Sequence, residues 1–482
     1  MNYGFFRAAA ASLKLRVADP DFIKAEIKKA IDEAVQHKAR LLVTPELSVT
    51  GYTCADLFFT ASLLNRAQVA LGEIAAYTKG KNIAVLVGVP VRYGNSLYNC
   101  AAVLVNGVIA GLVPKTHIAN YNEFYEKRWF ASGANLGSPR DIEICGQKTK
   151  IGRMLFDLGS GAVLGVELCE DLWVPDPPSG SLCVSGANLI ANLSASDEYV
   201  SKAQYRKQLV SGQSARCVCG YVYVGASVFE STTDLLFGGA LFIAENGGML
   251  AEGERFLRQT NLIYSDLDIE KLNALRVKNM SFENSACAAE LVNAQLENDH
   301  NDLRFRYVDP HPFVPENDDK RRERCREIFS IQAGALAKRL EHVGSSGAVV
   351  GISGGLDSTL ALLVCAKAME LLGKSNADIL GVTMPGFGTT GRTYNNALKL
   401  MQYLGVTIKE IDIKDACILH MKDIGHDPET HDITYENTQA RERTQVLFDL
   451  ANKPGKLLVG TGDLSELAMG WCTYNGDHMS MY

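Results

Sequence analysis

The most constraining feature of this 482-residue sequence is the hexapeptide from Ser353 to Ser358, Ser-Gly-Gly-Leu-Asp-Ser. The apolar, β-branched run Ala348 to Ile352 before it predicts a buried strand. The Ala/Leu-rich stretch from Thr359 to about Leu372 predicts a helix. Glycines in such a strand–loop–helix turn let the backbone approach a ligand, and the helix N-terminus attracts anions. The hexapeptide therefore predicts a phosphate-binding loop or, alternatively, an ordinary glycine turn at a helix start.

The other residues of this loop favour the phosphate interpretation. Asp357 would place a carboxylate beside phosphates, which suggests a bridging Mg²⁺. The loop lacks the Gly-Lys-Ser/Thr ending of a Walker A motif and the GxGxxG of a dinucleotide fold. The hexapeptide resembles the pyrophosphate loop of the N-type ATP pyrophosphatases, which implies that the chain splits ATP into AMP and pyrophosphate.

Length and composition set the class of protein. A chain of 482 residues predicts two domains, and 47% hydrophobic with 21% charged residues is typical of a soluble globular protein. The net charge of −7 argues against a nucleic-acid partner. The 12 cysteines form no CxxC pair, which favours reduced thiols in a cytoplasm over zinc binding. No apolar stretch is long enough to span a membrane.

The order of predicted elements divides the chain into an α/β domain over residues 1–285, a linker over 286–318 and a second α/β domain over 319–482. Strand–helix alternation with hairpins in the first domain predicts mixed sheets. Asp19-Pro20 is a helix start, and Asn106-Gly107 is a hairpin turn. In the second domain, strands alternate with helices, which predicts a doubly wound parallel sheet with ligands at the carboxyl ends of its strands.

Three reactive residues follow predicted strands in the first domain: Glu46, Lys115 and Cys169. Taken singly, each has a simpler interpretation as a surface carboxylate, a solvated amine or an inert core thiol. Together they meet one chemical demand, because a thiolate is a strong nucleophile, a carboxylate can accept its proton and an ammonium can stabilise an oxyanion.

The residues around these three resemble the motifs of the nitrilase superfamily, in order and in spacing. The matching segments are Pro45 to Tyr52, Pro114 to His117 and Glu167 to Trp173. The resemblance extends over most of residues 1 to about 285 and implies an αββα sandwich. It makes Glu46 the general base, Lys115 the oxyanion-stabilising residue and Cys169 the acyl-forming nucleophile.

A nitrilase-type amidase joined to an ATP pyrophosphatase resembles the glutamine-dependent NAD synthetase family. The segments Tyr121 to Phe130 and Asn192 to Ser196 are similar to that family as well. The resemblance implies that glutamine is contacted by Tyr121, Ser196 and Lys202. A Ser/Lys-rich loop after a strand could otherwise be a polar turn.

In the second domain the resemblance covers Glu436 to Arg443, Gly460 to Glu466 and Trp471 to Tyr474. Without it, the first would be a solvent-facing helix and Trp471 a core residue. The ATP contacts it implies are Gly351, Ile352, Ser353, Gly354, Gly355, Leu356, Asp357, Ser358 and Thr461. Those to deamido-NAD are Asn437, Glu466, Trp471, Cys472, Thr473 and Tyr474. Asp357 and Glu466 would hold Mg²⁺.

The implied reaction uses glutamine-derived ammonia to amidate deamido-NAD that ATP has adenylated, giving NAD, AMP and pyrophosphate. In the family, the Gly476-Asp477 motif is followed by a further segment, whereas this sequence ends at Tyr482. An amidase with an inert synthetase domain is therefore an alternative, and a non-catalytic nucleotide sensor or scaffold is another. Nitrilase-type domains commonly associate, so a homo-oligomer is expected, without a nucleic-acid or membrane partner.

Overall fold

The computed structural model describes residues 4–282, 289–297, 302–315, 317–387 and 391–482. It divides into two compact units, residues 1–308 and 309–482. Within the described ranges, no helix combines the length and apolar character that crossing a membrane requires.

The strands of the first unit are β1 (Phe5–Ser12), β2 (Leu41–Val43), β3 (Ala84–Tyr93), β4 (Ser96–Val105), β5 (Val108–Pro114), β6 (Arg140–Ile144), β7 (Gln147–Ile151), β8 (Met154–Asp157), β9 (Val163–Leu168), β10 (Leu189–Ser194), β11 (Gly220–Gly225), β12 (Leu241–Glu245), β13 (Gly248–Glu252), β14 (Asn261–Asp268) and β15 (Glu290–Asn293). Its α-helices are α1 (Pro20–Gln36), α2 (Ala61–Tyr77), α3 (Pro178–Val184), α4 (Lys202–Arg216) and α5 (Ile269–Val277).

These strands form two mixed sheets, in the orders β14-β1-β2-β3-β4-β5-β7-β6 and β13-β12-β11-β10-β9-β8-β15. Alternate side chains of both sheets meet in one apolar layer, which includes Val43 and Leu168. The outer face of the first sheet packs against α1 and α2, and that of the second packs against α3 and α4. The predicted αββα sandwich with mixed sheets is therefore confirmed.

Local sequence signals explain how these elements begin and turn. The Asp19 carboxylate accepts the amide of Phe22 at 3.0 Å, and Pro20 occupies the first turn of α1, as the capping preference predicts. Asn106 and Gly107 have φ of 48° and 86°. These left-handed values are those of the tight turn that joins β4 to β5.

A glycine in β3 lets the segment after β2 approach the sheet. A Cβ at Gly88 would lie 2.1 Å from the amide nitrogen of Leu47 and 2.7 Å from the carbonyl carbon of Glu46. The Gly88 backbone also binds this segment, because its amide donates to Ser48 Oγ at 3.0 Å. No side chain fits here without displacing Glu46.

We expect Gly88→Ala to destabilise the first unit by about 1–3 kcal/mol, the usual cost of overpacking a core. Thermal unfolding measures this change. Gly212→Ala is the matched control, because a Cβ at that position of α4 would meet no atom within 4 Å and alanine is the better helix former. A Gly88→Ala variant as stable as the control would contradict the close approach.

The structure extends the first unit beyond the predicted strands. The hairpin of β6 and β7 and the short strands β8, β13 and β15 are additions to the predicted elements. β15 pairs in parallel with β8, and Arg306 binds Glu245 at 2.6 Å. These segments of the predicted linker thus pack on the first unit, while its residues 286–288, 298–301 and 316 lie outside the described residues.

The second unit contains α6 (Asp318–His342), β16 (Ala348–Gly351), α7 (Leu356–Leu371), β17 (Ile379–Thr383), α8 (Gly391–Leu404), β18 (Thr407–Glu410), α9 (Lys414–Asp423), α10 (Ile433–Asn452), β19 (Leu457–Val459) and α11 (Leu464–Met469). Its four strands run parallel in the order β18-β17-β16-β19. Helices α6, α7 and α8 cover one face and α9 and α10 the other. The predicted doubly wound parallel sheet is confirmed, and its strand order reverses between β16 and β19.

Candidate functional site

Glu46 follows β2 and connects the two sheets of the first unit. Its side chain is fully buried. Its Oε1 accepts hydrogen bonds from Lys115 Nζ and from Asn99 Nδ2, both at 2.7 Å. Its Oε2 accepts the amide of Ala195, which follows β10 in the second sheet, at 2.9 Å. The carboxylate is therefore held by donors from both sheets.

Lys115 follows β5 and lies between two carboxylates. Besides Glu46, its Nζ donates to both oxygens of Glu126, at 2.7 and 2.9 Å. Tyr52 donates its hydroxyl to Glu126 Oε1 at 2.7 Å. Burial opposes the charge of Lys115, but the Glu126 and Glu46 carboxylates outweigh it and raise the pKa of Lys115 well above its usual value. Lys115 is therefore a fixed, buried cation.

Cys169 follows β9 and opens a short 3₁₀ turn, Cys169–Leu172. Its φ of +42° lies in the left-handed region, which is uncommon outside glycine. Burial, and then the Glu46 charge, raise the pKa of the Cys169 thiol well above its usual value, whereas the Lys115 charge lowers it. The structure thus brings together the three predicted catalytic residues at three strand ends.

Two further carboxylates hold these segments and were not singled out by the sequence analysis. Glu126 binds Lys115, as described above. Asp171 accepts the amides of Leu168 at 3.0 Å and His117 at 2.7 Å, so it joins the segment after β9 to the segment after β5. The sequence could have pointed to both, because each lies inside a segment that resembles the family. These segments are Tyr121 to Phe130 and Glu167 to Trp173.

The electrostatics of this site suit a nucleophile that a base activates. The raised thiol pKa keeps Cys169 protonated at rest, so a neighbouring base must take its proton. Burial raises the pKa of Glu46 to about 7, the Lys115 charge opposes this rise and the Glu126 charge adds to it. A carboxylate of this basicity can accept a thiol proton near neutral pH. The arrangement can therefore support acyl transfer through a thioester.

The three residues predicted to contact glutamine lie on segments next to the three predicted catalytic residues. Tyr121 donates its hydroxyl to Glu170, the residue after Cys169, at 2.8 Å. Ser196 is buried and accepts Arg206 Nη2 at 3.3 Å. Lys202 is buried, paired with Asp197, and its Nζ lies over three aromatic rings. These rings belong to Tyr199 at 4.8 Å, Trp173 at 5.2 Å and Phe124 at 5.8 Å.

The predicted phosphate loop of the second unit joins β16 to α7. Gly354 has a φ of +85°, and a Cβ there would lie 2.1 Å from the carbonyl oxygen of Thr393, so this position requires glycine. The Ser353 and Ser358 hydroxyl oxygens lie 3.2 Å apart. Asp357 is in the first turn of α7. The loop therefore offers amides, hydroxyls and one carboxylate at a helix N-terminus.

This loop borders a cleft of about 770 Å³ at the carboxyl ends of β16, β17 and β19. The predicted residues that line it are Gly351, Ile352, Ser353, Gly355, Asp357, Ser358, Thr461 and Glu466. Gly354 and Leu356 are not among the lining residues, and the Leu356 side chain is 86% exposed. The cleft lies where the strand order reverses, which is where doubly wound sheets bind ligands.

An aromatic wall of the cleft escaped the sequence analysis. The His431 and Tyr435 rings stack at 4.3 Å, and the Phe387 ring lies 5.4 Å from Tyr435. All three line the cleft. Flat aromatic faces favour a planar heterocycle. The cleft thus pairs a phosphate loop with a surface suited to a nucleobase or a pyridine ring.

The residues predicted for deamido-NAD are only partly brought together. Asn437 Oδ1 accepts the Thr473 hydroxyl at 2.8 Å, which joins α10 to the segment after α11. Glu466 lines the cleft, whereas Trp471, Cys472 and Tyr474 are exposed and absent from its described lining. The predicted core alternative for Trp471 is wrong for this unit, since its side chain is 78% exposed.

Comparisons with known proteins agree with both units. Residues 7–277 match the family model described as carbon-nitrogen hydrolase, and residues 329–481 match the model described as NAD synthase. The crystal structure of a glutamine-dependent NAD(+) synthetase from Cytophaga hutchinsonii is similar at a TM-score of 0.50 and 24% identity, covering 99% of this chain and 78% of that chain. That similarity supports the fold alone.

Sequence relatives extend the comparison along the whole chain. The glutamine-dependent NAD(+) synthetase of Mycobacterium tuberculosis (strain ATCC 25618 / H37Rv) is 39% identical over 497 aligned residues, covering 100% of this chain and 73% of that protein. The enzyme of the same name from Thermotoga maritima is 31% identical, covering 98% of this chain and 76% of that protein. The chain therefore belongs to the glutamine-dependent NAD(+) synthetase family.

Proposed function

We propose that this chain carries out the reaction of its family with the two sites described above. The first unit hydrolyses glutamine, and the second uses ATP and the resulting ammonia to convert deamido-NAD to NAD. The observation that carries the proposal is the buried arrangement of Glu46 and Lys115 beside Cys169, with Nζ at 2.7 Å from the Glu46 carboxylate. Burying such charges is costly. A non-catalytic sensor or scaffold would gain nothing from this arrangement that offsets the cost.

In the first unit, Glu46 takes the thiol proton as the sulfur of Cys169 attacks the amide carbon of glutamine. Lys115 stabilises the negative charge that develops on the amide oxygen. Glu46 then returns the proton to the departing nitrogen, and ammonia leaves a glutamyl thioester. Water attacks this thioester while Glu46 accepts the water's proton, and glutamate is released with the thiol restored.

The pH dependence of glutamine hydrolysis follows from this role of Glu46. Burial raises the pKa of Glu46 to about 7, and only the deprotonated form can act as the base. We therefore expect kcat/KM to rise with pH through about 7 and to fall tenfold per unit below it. Initial rates of glutamate formation between about pH 5.5 and 8.5 measure this rise in kcat/KM. A profile that stays flat across that range would contradict a base of this pKa.

In the second unit, the nicotinate carboxylate of deamido-NAD attacks the α-phosphorus of ATP and pyrophosphate leaves. Adenylation is needed because a carboxylate is a poor acyl donor until its oxygen becomes part of a leaving group. Ammonia then displaces AMP and forms the amide of NAD. Main-chain amides of residues 353–358 and the Ser353 and Ser358 hydroxyls would bind the pyrophosphate end, and Thr461, which also lines the cleft, would contact ATP.

The donors in this cleft fit a Mg²⁺ ion, and we propose that Asp357 and Glu466 hold it. Both line the cleft, and both offer the oxygen ligands that Mg²⁺ prefers. One or two carboxylates plus substrate phosphates are the usual ligands of Mg²⁺, and the described residues contain no group of three or more acidic, histidine or cysteine ligands. Bound Mg²⁺ would offset the charge on the triphosphate and the leaving pyrophosphate.

The remaining substrate contacts are proposals that rest on position. Tyr121, Ser196 and Lys202 would bind glutamine beside Cys169, and Tyr121 is the one joined directly to the turn of Cys169 through Glu170. Asn437 and Thr473 would contact deamido-NAD, supported by their bond to each other near the cleft. For Trp471, Cys472 and Tyr474, the support is the resemblance of their segment to the family.

NAD and AMP formation tests the proposal directly. The assay supplies deamido-NAD, ATP and Mg²⁺ with either glutamine or ammonium as the nitrogen source. Both sources should give NAD with an equal amount of AMP. If glutamine is converted to glutamate while neither source gives NAD, the alternative of an amidase alone holds. The match of residues 329–481 to NAD synthase favours the two-site reaction.

Three broader expectations are also proposals. We place the protein in the cytoplasm as a homo-oligomer, supported by the free state of the 11 described cysteines and by the association common to nitrilase-type domains. We keep the domain boundaries at residues 1–285, 286–318 and 319–482. The matches at 7–277 and 329–481 lie within the two outer ranges.

A further inference from the structure

Three polar side chains of neighbouring strands lie in the largely apolar outer layer of the second sheet. Glu167 on β9, Asn192 on β10 and Tyr221 on β11 are each at most 1% exposed. Their neighbours in that layer include Leu182 and Ile190. Burying polar groups among such side chains is costly unless every group is hydrogen-bonded, so their presence indicates a purpose besides packing.

Hydrogen bonds join the three side chains into one chain that ends at the catalytic cysteine. The Tyr221 hydroxyl donates to Glu167 Oε1, and Glu167 Oε2 accepts the amide of Ser179 at 2.8 Å. Asn192 Nδ2 donates to the Tyr221 oxygen at 3.2 Å. Asn192 Oδ1 accepts the backbone amide of Cys169 at 3.1 Å. We call Glu167, Tyr221 and Asn192 the buried relay.

The direction of these bonds is set from the Glu167 end. A carboxylate only accepts hydrogen bonds, so the single proton of the Tyr221 hydroxyl must point at it. The Tyr221 oxygen can then only accept from Asn192, which turns the amide nitrogen of Asn192 toward Tyr221. The amide oxygen is left facing Cys169, where an acceptor is required. The Ser194 hydroxyl also donates to this oxygen, at 2.7 Å, but a hydroxyl can turn and accept instead. The Tyr221 end of the Asn192 amide is therefore oriented by a carboxylate that does not touch Cys169.

The bond to Asn192 acts on a backbone that is held in an unfavourable conformation. Cys169 has a φ of +42°, in the left-handed region that side chains other than glycine seldom adopt. A buried amide in this position needs an acceptor, and Asn192 Oδ1 supplies it. Fixing this amide fixes the start of the turn that points the thiol toward Glu46 and Lys115.

We propose that Asn192 is a positioning residue for the Cys169 nucleophile and that Glu167 and Tyr221 set the direction of its amide. This inference rests on the proposed glutamine hydrolysis by Cys169. It adds that side chains on the outer face of the second sheet set the position of the nucleophile. It also explains why polar residues occupy this layer, beneath α3 and α4.

Glu167→Gln tests the direction of the relay with little change of volume. The introduced side-chain amide can accept a hydrogen bond from the Ser179 backbone amide with its oxygen and donate an N–H to the Tyr221 oxygen. The Tyr221 hydroxyl would then donate to Asn192, whose amide would turn and present a donor to the Cys169 amide. We expect kcat for glutamine hydrolysis to fall about ten- to hundredfold, the usual cost of a misplaced catalytic group, with KM for glutamine changed less than about twofold.

A second substitution should restore the direction. In Glu167→Gln/Asn192→Asp, the carboxylate introduced on β10 accepts from both the Tyr221 hydroxyl and the Cys169 amide. We expect the double variant to regain at least half of the loss in log kcat. Burial raises the pKa of Glu167 to about 7, while its donors Tyr221 and Ser179 oppose this rise, so the assays belong at about pH 8.5, where this carboxylate is ionised.

Tyr221→Phe, with Tyr98→Phe as its control, gives an independent measurement. Both residues are buried, but Tyr98 lies in the outer layer of the other sheet. We expect Tyr221→Phe to lower kcat for glutamine hydrolysis about tenfold and Tyr98→Phe to leave it unchanged. NAD formation from ammonium, which does not use Cys169, should stay at the wild-type rate in every variant, and thermal unfolding of the first unit shows that each variant is folded.

The outcomes separate the relay from the reaction on which it rests. The inference is overturned if Glu167→Gln keeps the wild-type kcat, or if the double variant is no better than Glu167→Gln. A loss expressed only in KM would assign these residues to glutamine binding and would also overturn it. If Cys169→Ala itself still hydrolyses glutamine, the proposed function of Cys169 fails, whatever the relay variants show.

Discussion

Cys169→Ala is expected to lower glutamine hydrolysis and glutamine-dependent NAD formation by at least about 10⁴-fold, because it removes the sulfur that we propose forms the thioester. Alanine adds no polar group to the buried site and leaves the bond from the backbone amide to Asn192 in place. NAD formation from ammonium should persist at the wild-type rate. The loss is therefore specific to the nitrogen source.

The physical reason for this selectivity is that each site lies within its own compact unit. Glu46, Lys115 and Cys169 belong to the unit of residues 1–308, and the phosphate loop belongs to the unit of residues 309–482. Ammonium supplies the nucleophile without any step at Cys169. The measurement compares glutamate, AMP and NAD production with the two nitrogen sources in parallel.

Cys183→Ala is the matched control for this experiment. Cys183 is as buried as Cys169, with 2% of its side chain exposed, but it lies on α3 among apolar neighbours. Both activities should survive its removal. Glutamine hydrolysis that persists in Cys169→Ala would place the nucleophile elsewhere. Loss of the ammonium-dependent reaction in Cys169→Ala would contradict the independence of the two units.

The meeting of Glu46 with Lys115 could be predicted because both follow strands of one sheet. Strand ends converge at one edge, so reactive residues placed there become neighbours. Glu126 follows no strand. It lies in a short 3₁₀ turn, Glu126–Arg128, in an irregular segment whose path depends on contacts such as the bond from Tyr52 at 2.7 Å. Periodicity carries no information about such contacts, so the second carboxylate of the site was missed.

The strands that were missed have weak local signals for the same kind of reason. β6 and β7 are polar, and the turn between them is Cys145-Gly146, with φ of 53° and 70°. Cysteine is not among the residues that mark such turns, unlike Asn106 in the predicted hairpin. β8 and β15 are only four residues each. Their pairing is long-range, so no local pattern could reveal it.

The relay shows a different limit of sequence reasoning. Glu167, Asn192 and Tyr221 lie on β9, β10 and β11, and two of them sit in segments that resemble the family. Their faces follow from the alternation of side chains along a strand. What alternation cannot supply is the direction of each hydrogen bond, which depends on the donors and acceptors that meet after folding. The chemistry of the layer therefore emerges only from the structure.

Asp357→Ala should impair NAD formation at the second site and leave glutamine hydrolysis at the first site unchanged, which is the reverse of the pattern expected for Cys169→Ala. We expect NAD and AMP formation to fall at least about a hundredfold with either nitrogen source, since this carboxylate would help to hold the cation that offsets the phosphate charge, and one such electrostatic contribution is worth that much or more. Glutamine hydrolysis should continue. The expectation rests on the position of Asp357 in the first turn of α7, exposed and lining the cleft beside Ser353 and Ser358.

The control for Asp357→Ala must remove the same charge from a similar place. Asp415 is an exposed acidic residue in the first turn of α9, and it does not line the cleft described above. Asp415→Ala therefore costs a comparable helix-dipole interaction of about 0.3–1 kcal/mol and should leave both activities unchanged. Equal losses in the two variants would indicate a stability effect and not a site.

Raising the Mg²⁺ concentration separates metal binding from phosphate positioning at Asp357. If its carboxylate holds the ion, the variant should require more Mg²⁺ for half-maximal AMP formation, and excess Mg²⁺ should recover part of the rate. If Asp357 acts without the ion, the Mg²⁺ requirement should match that of the wild type while the rate stays low. Cys169→Ala should lose glutamine hydrolysis and keep NAD formation from ammonium, whereas Asp357→Ala should keep glutamine hydrolysis and lose NAD formation from either source. The pair of variants would therefore divide the chemistry between the two units.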